Sequence, residues 1–186
     1  LSRGEPFDLG HIGRELDNAA RRRGTAAFVD LKSAVRDLVG QLEQEHSDPE
    51  SRYGLRTGIG PVDEILLGLH PGRLYIVAAR PARGKTAFAS QAAWHVAASG
   101  SPVFFSSLEM TPSDIARRIV QQLAGSSLDM RGAGEREFAT VARATVEAAR
   151  ARVLFSTSPT LGQIEAEAAE AVRGHGAKLV VVDYLQ

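Results

Sequence analysis

Residues 79–86 read ARPARGKT, and the last three, Gly84, Lys85 and Thr86, are the residue types that hold a triphosphate. Phosphate oxygens need several backbone N–H groups converging at a helix N-terminus, where the helix dipole favours anions. Gly84 lets the backbone approach the phosphates with no Cβ in the way. Lys85 offers a point charge to the β- and γ-phosphates, and Thr86 a hydroxyl for Mg²⁺. The general pattern is Gly-x-x-x-x-Gly-Lys-Ser/Thr, and here Ala79 stands where the first Gly is expected. The candidate loop comprises Ala79, Arg80, Pro81, Ala82, Arg83, Gly84, Lys85 and Thr86, with Ala87 in the helix behind it.

A structural turn with an exposed lysine is the bland alternative, so two carboxylates bear on the choice. Asp183 follows the apolar run KLVVV, where an acid can hold Mg²⁺ through water. Glu109 follows PVFFSS, where a carboxylate can orient and polarise an attacking water. Each has an ordinary reading, a strand-end turn residue for Asp183 and a solvated or helix-start charge for Glu109. All three features fall at strand ends of one unit, and the carboxyl ends of an open parallel sheet surround its ligand.

The elements that must position these residues can be read from periodicity and punctuation. GRLYIVAA predicts a strand ending near Ala78, and KTAFASQAAWHVAAS a helix opening at Lys85, with Gly100 as its C-cap. PVFFSS predicts the next strand. Thr111 as N-cap, Pro112 in the first turn and Asp114 in capping-box position open a helix that Gly125 stops. An Ala-rich helix is expected near Glu135–Ala151, then a strand RVLFS. Thr160 and Gln163 form a second capping box for a helix reaching about His175, before the strand AKLVVVD. Strands alternating with helices specify an α/β domain with a parallel sheet.

Upstream, residues 1 to about 56 are polar and helix-prone. One helix is expected around Leu9–Arg22, ending in the basic run Arg21–Arg23, which reads as a solvated helix end. In the next, Phe28, Leu31, Val35, Leu38 and Leu42 alternate at steps of three and four, an apolar seam along one helix face. That seam suits a helix lying on its own domain or one docking on a neighbouring subunit. EHSDPESRYG after it reads as a linker.

Composition narrows the class. The chain has 186 residues, 44% hydrophobic and 24% charged, with 22 basic residues balancing 22 acidic ones. Those proportions are globular, and a wholly basic nucleic-acid-binding surface is not indicated. With no cysteine, disulfides, thiolate metal sites and Cys nucleophiles are excluded. The five histidines include no pair at metal-ligand spacing and read as structural or surface residues. There is no Gly-x-Ser-x-Gly elbow, and Ser106-Ser107 reads as strand-end packing. Phe104, Phe105 and Trp94 read as core aromatics. No apolar run approaches the roughly 18–20 residues of a membrane helix, so a cytoplasmic protein is the expectation. Leu1 in place of Met points to a fragment or a processed product.

TGIGPVDEILLGLHPGRLYIVAARPARGKTAFA, FFSSLEM and LVVVDYLQ resemble the RecA-type motor domain of DnaB-family replicative helicases, over about Leu55–Gln186. In that family Ala commonly stands where the general loop has its first Gly. The resemblance implies a RecA-like P-loop core that binds ATP and Mg²⁺ and couples hydrolysis to movement on single-stranded DNA and duplex unwinding. By it Lys85 and Thr86 act in the loop, Glu109 is the catalytic glutamate and Asp183 the Mg²⁺-associated acid, with Arg80 and Pro81 shaping the loop. It further implies a homo-hexamer, through a linker helix at Phe28–Leu42, and primase and helicase-loader partners.

The chain departs from the family in Ala82-Arg83, where Ser-Met is usual, and in an acidic Leu161–His175 helix. By the resemblance, DNA-contacting loops, a later phosphate-sensing segment and an arginine finger would follow Gln186. The expected organisation is a helical segment at 1–25, a linker helix and linker at 26–56, and the incomplete N-terminal part of a RecA-like ATPase domain at 57–186. Two alternatives stay open, a recombination-type or clock-type RecA-like ATPase and a nucleotide-binding or helicase-docking module without turnover.

Overall fold

The computed structural model describes residues 29–80, 82–128, 131 and 133–183. The helix expected at Leu9–Arg22, with its basic end, lies outside the described residues, as do Phe28 and Pro81. The chain divides into two compact units, Leu1–Tyr53 and Gly54–Gln186.

In the first unit, helix α1 spans Leu31–Ser47. Asp30 caps it by accepting the Ser33 N–H at 2.9 Å, which satisfies an amide that has no partner inside the helix. Asp48 follows, capping a short 3₁₀ turn at Pro49–Arg52. Leu31, Leu38 and Leu42 of the predicted seam are exposed, and the buried residue of α1 is Val39.

The second unit is built on three parallel strands, β1 (Val103–Ser107), β2 (Val153–Ser156) and β3 (Leu179–Asp183), in the order β2-β1-β3. Around them lie α2 (Gly60–Leu66), α3 (Lys85–Ala98), α4 (Pro112–Ala124), α5 (Glu135–Arg150) and α6 (Leu161–His175). Every residue of the central β1 is buried. Because side chains alternate across a strand, Val103 and Phe105 face one layer, with Ala93, Val96 and Ala97 of α3 and Ile115 and Ile119 of α4. Phe104 faces the opposite layer with Ile164 and Ala171 of α6. Trp94 is half-buried against the first cluster, a core aromatic as its sequence context suggests.

The N-cap residues act as read, while the Asp114 and Gln163 side chains accept the Thr111 and Thr160 hydroxyls. Thr111 accepts the Asp114 N–H at 3.2 Å and Gly125 ends α4 in the left-handed region, φ 62°. Thr160 accepts the Gln163 N–H at 3.4 Å. Helix α3 ends at a Ser99 cap, with Gly100 at φ 93° one residue beyond it, so the glycine supplies the left-handed residue after the cap.

One predicted element differs. GRLYIVAA makes no strand among the described residues, and Leu74 and Ile76 are 85% and 82% exposed. A short apolar run records a preference for a buried, pleated surface, whereas a strand needs a neighbour's N–H and C=O groups. No described strand lies beside this run. Its Tyr75 hydroxyl accepts the His70 N–H at 3.0 Å. Upstream of it, Leu55 and Leu69 form an isolated antiparallel bridge that encloses α2.

A candidate nucleotide site at the carboxyl edge of the sheet

The loop residues reach the N-terminus of α3 through a turn closed by the Arg83 N–H donating to the Arg80 carbonyl at 3.3 Å. Gly84 is the N-cap at φ 89°, in the left-handed region that a side chain disfavours. Ala82 also has positive φ, 58°, without being glycine. Ala79, Arg80, Ala82, Arg83 and Gly84 are exposed, while Lys85, Thr86 and Ala87 are half-buried in the first turn of α3. Successive N–H groups at such a turn, backed by a helix dipole, make an anion-binding concavity.

The two carboxylates come from adjacent strands. Ser107 of β1 lies in register with Asp183 of β3, and the Leu108 N–H donates to the Asp183 carbonyl at 3.0 Å. Glu109 therefore stands in the bend one residue past that link, exposed, while the Met110 N–H donates to Ser107 Oγ at 3.0 Å and tightens the bend. Asp183 is only 6% exposed, and its Oδ2 is buried with no hydrogen-bond partner among the described residues. Its side chain has the parity of Leu179 and Val181, both packed on the cluster that includes α3. Helix α3 packs on β1 and β3, so its loop-bearing helix covers the face that Asp183 looks into.

A buried, unpartnered carboxylate oxygen is costly unless something answers it, and a hydrated divalent cation suits it. The described residues contain no group of three or more His, Cys, Asp or Glu side chains able to cage a metal.

Several contacts at this edge had weak sequence signals. Gln122 of α4 donates from Nε2 to the Ala87 carbonyl at 3.0 Å. Ala87, Arg118, Gln121, Gln122 and Ser126 border an open groove of about 460 Å³ beside the first turn of α3. At the end of β2, Glu167 of α6 accepts hydroxyl hydrogen bonds from Ser156 and Ser158. Those hydroxyls, Ser156 foremost, hold its carboxyl below the usual glutamate value of 4.5. In sequence these are isolated polar residues on three elements, and only the packing brings them together.

The family of DnaB-like helicase C terminal domains matches residues 54–186. The chain belongs to the DnaB-like helicases. Against the replicative DNA helicase DnaB of Leifsonia xyli subsp. xyli it is 33% identical, over 98% of this chain and 42% of that protein. Against the replicative DNA helicase DnaC of Bacillus subtilis it is 26% identical, over 96% and 40%. The chain thus spans about two fifths of the length of these DnaB-like relatives. A solved DnaB-like replicative helicase, described with its interactions with primase, superposes with a TM-score of 0.70 at 19% identity, covering 95% of this chain and 47% of that one. The fold is the α/β, RecA-like fold of DnaB-like ATPase domains. No helix among the described residues is long and apolar enough to cross a membrane.

Proposed function

We propose that this chain is part of the motor of a DnaB-type replicative helicase, binding ATP with Mg²⁺ and coupling hydrolysis to translocation on single-stranded DNA and duplex unwinding. The observation that carries the reading is the buried Oδ2 of Asp183, unpartnered among the described residues, on the face of the sheet covered by the helix that begins with Lys85 and Thr86.

In this reading the N–H groups from Ala82 to Thr86 and the Lys85 ammonium hold the phosphates, with Arg80 and Arg83 shaping the turn and Ala79 preceding it. The groove beside Ala87, polar with Arg118 and Gln122, suits the ribose and base. The Thr86 hydroxyl and Asp183, partly through water, would hold Mg²⁺, which when bound screens the charge on the phosphates. Glu109, exposed at the mouth of the bend, orients the attacking water and accepts its proton. The exposed leucines of α1 are the surface through which a hexamer would form, in a cytoplasmic replication complex with primase and a helicase loader.

In the full-length protein, Lys85→Ala is expected to weaken ATP binding by on the order of tenfold or more, as loss of a charge-assisted contact does. Glu109→Gln should keep binding while turnover falls by on the order of a hundredfold. Parental ATPase rates in both variants would refute the assignment. Unwinding of a forked duplex separates a helicase from a recombination-type ATPase. Stimulation of turnover by single-stranded DNA excludes a passive nucleotide-binding module.

A further inference from the structure

The segment before the phosphate loop contains a buried carboxylate that the nucleotide reading leaves without a task. Asp63, on α2, is 6% exposed. Its Oδ1 accepts both the backbone N–H and the hydroxyl of Thr57, each at 2.8 Å, and its Oδ2 accepts the Gly58 N–H at 3.0 Å. Thr57 is fully buried, and its Oγ1 also accepts the Ile59 N–H at 3.2 Å. Three donors on one buried carboxylate fix a turn far more firmly than a surface connection requires.

The turn so fixed bears directly on the helix of the phosphate loop. Gly58 has φ +75°, and a Cβ placed there would lie 2.5 Å from both Cγ and Nδ1 of His95. The backbone at Gly58 therefore rests on the imidazole of His95, near the C-terminal end of α3. Leu55, just upstream, packs on the same cluster as Ala93 and Val96 of α3. Lys85 stands at the other end of this one helix, about 15 Å away at 1.5 Å per residue. A helix moves as a rod over that length, so a tilt imposed at His95 displaces the first turn.

Resting on the nucleotide reading above, we infer that Asp63 is a positioning residue for nucleotide. By clamping the Thr57–Gly58 turn it seats that turn on His95, and so sets where Lys85 and Thr86 meet the phosphates. Phosphate recognition by several donors at once is sensitive to shifts of the order of 1 Å.

Titration with a fluorescent ATP analogue, in the full-length protein and well below each variant's melting temperature, tests this. Gly58→Ala is expected to weaken affinity by on the order of tenfold, because the new methyl displaces His95. Adding His95→Ala removes the clash, and affinity should return to that of His95→Ala alone. The melting temperature should stay low in the double variant, since alanine remains strained at positive φ. A merely structural role would move affinity and stability together. Asp63→Asn, which turns one acceptor into a donor facing a donor, should weaken affinity by several fold, and it decides the question if Gly58→Ala does not fold. Parental affinity in Asp63→Asn, or a double variant that binds more weakly than His95→Ala alone, overturns the inference. Lys85→Ala is the control. If it binds as the parent does, the nucleotide site itself is misplaced; if it loses binding while Asp63→Asn does not, only the positioning role fails.

Discussion

Asp183 combines burial, an unpartnered oxygen and a place at the end of a strand beside Ser107. Such an oxygen weakens the nucleotide-free protein by roughly 1–3 kcal/mol. Asp183→Asn is therefore expected to raise the melting temperature without nucleotide while lowering the benefit of Mg²⁺ to ATP binding. Calorimetry with and without Mg²⁺ reads both effects, and a variant that is less stable but equally responsive to Mg²⁺ would remove Asp183 from the proposed site. Ala82 carries a second local cost. A left-handed conformation in an L-residue is unfavourable by about 1–2 kcal/mol, and Ala82 holds it at φ 58° within the loop. Strain of this kind persists where the surroundings over-determine it, as at ligand-binding turns. Neither property was legible at the residue itself. Sequence put an acid at the end of an apolar run and an alanine in a loop, but hydrogen-bond partners and φ values belong to the folded chain.

At the level of elements, the helix starts were the most legible features because their signals are local. Thr111 with Asp114, and Thr160 with Gln163, satisfy backbone donors within three residues of themselves, so no distant contact can change their meaning. The link between β2 and α6 is different, since it joins Ser156 and Ser158 to Glu167 across a turn. Because folding lowers the Glu167 pKa below 4.5, the carboxylate's contribution is present above the unfolded value and is lost as pH falls through the lower, folded value. The stability difference between parent and Glu167→Gln should therefore shrink as pH drops below about 4.5. Urea unfolding across that range tests it, and a difference independent of pH would show that the charge at Glu167 does not matter. The run GRLYIVAA marks the limit of local reading. Its continuous apolar residues predicted a strand, yet Leu74 and Ile76 are exposed and unpaired among the described residues, because pairing depends on what lies alongside.

At the scale of the molecule, the RecA-like unit buries both faces of β1, with α3 and α4 on one side and α6 on the other. The first unit instead leaves Leu31, Leu38 and Leu42 in solvent. Burying a leucine is worth about 1.5–3 kcal/mol, so these side chains are the natural anchors of the proposed hexamer. Leu38→Asp combined with Leu42→Asp should weaken self-association of the full-length protein by at least tenfold, measured by sedimentation velocity, without changing ATP affinity per subunit. Unchanged assembly would exclude the seam from the interface.

Sequence alone determined the alternation of helices and strands from Lys85 onward, the helix starts at Thr111 and Thr160, and the chemical identities of Lys85, Thr86, Glu109 and Asp183. These rest on residue type and on interactions spanning a few positions. Tertiary structure alone decided that Ser107 faces Asp183, that Gly58 rests on His95, and that Asp63 answers Thr57 and Gly58. These depend on strand register and helix packing, which bring together residues whose spacing along the chain carries no trace of the contact.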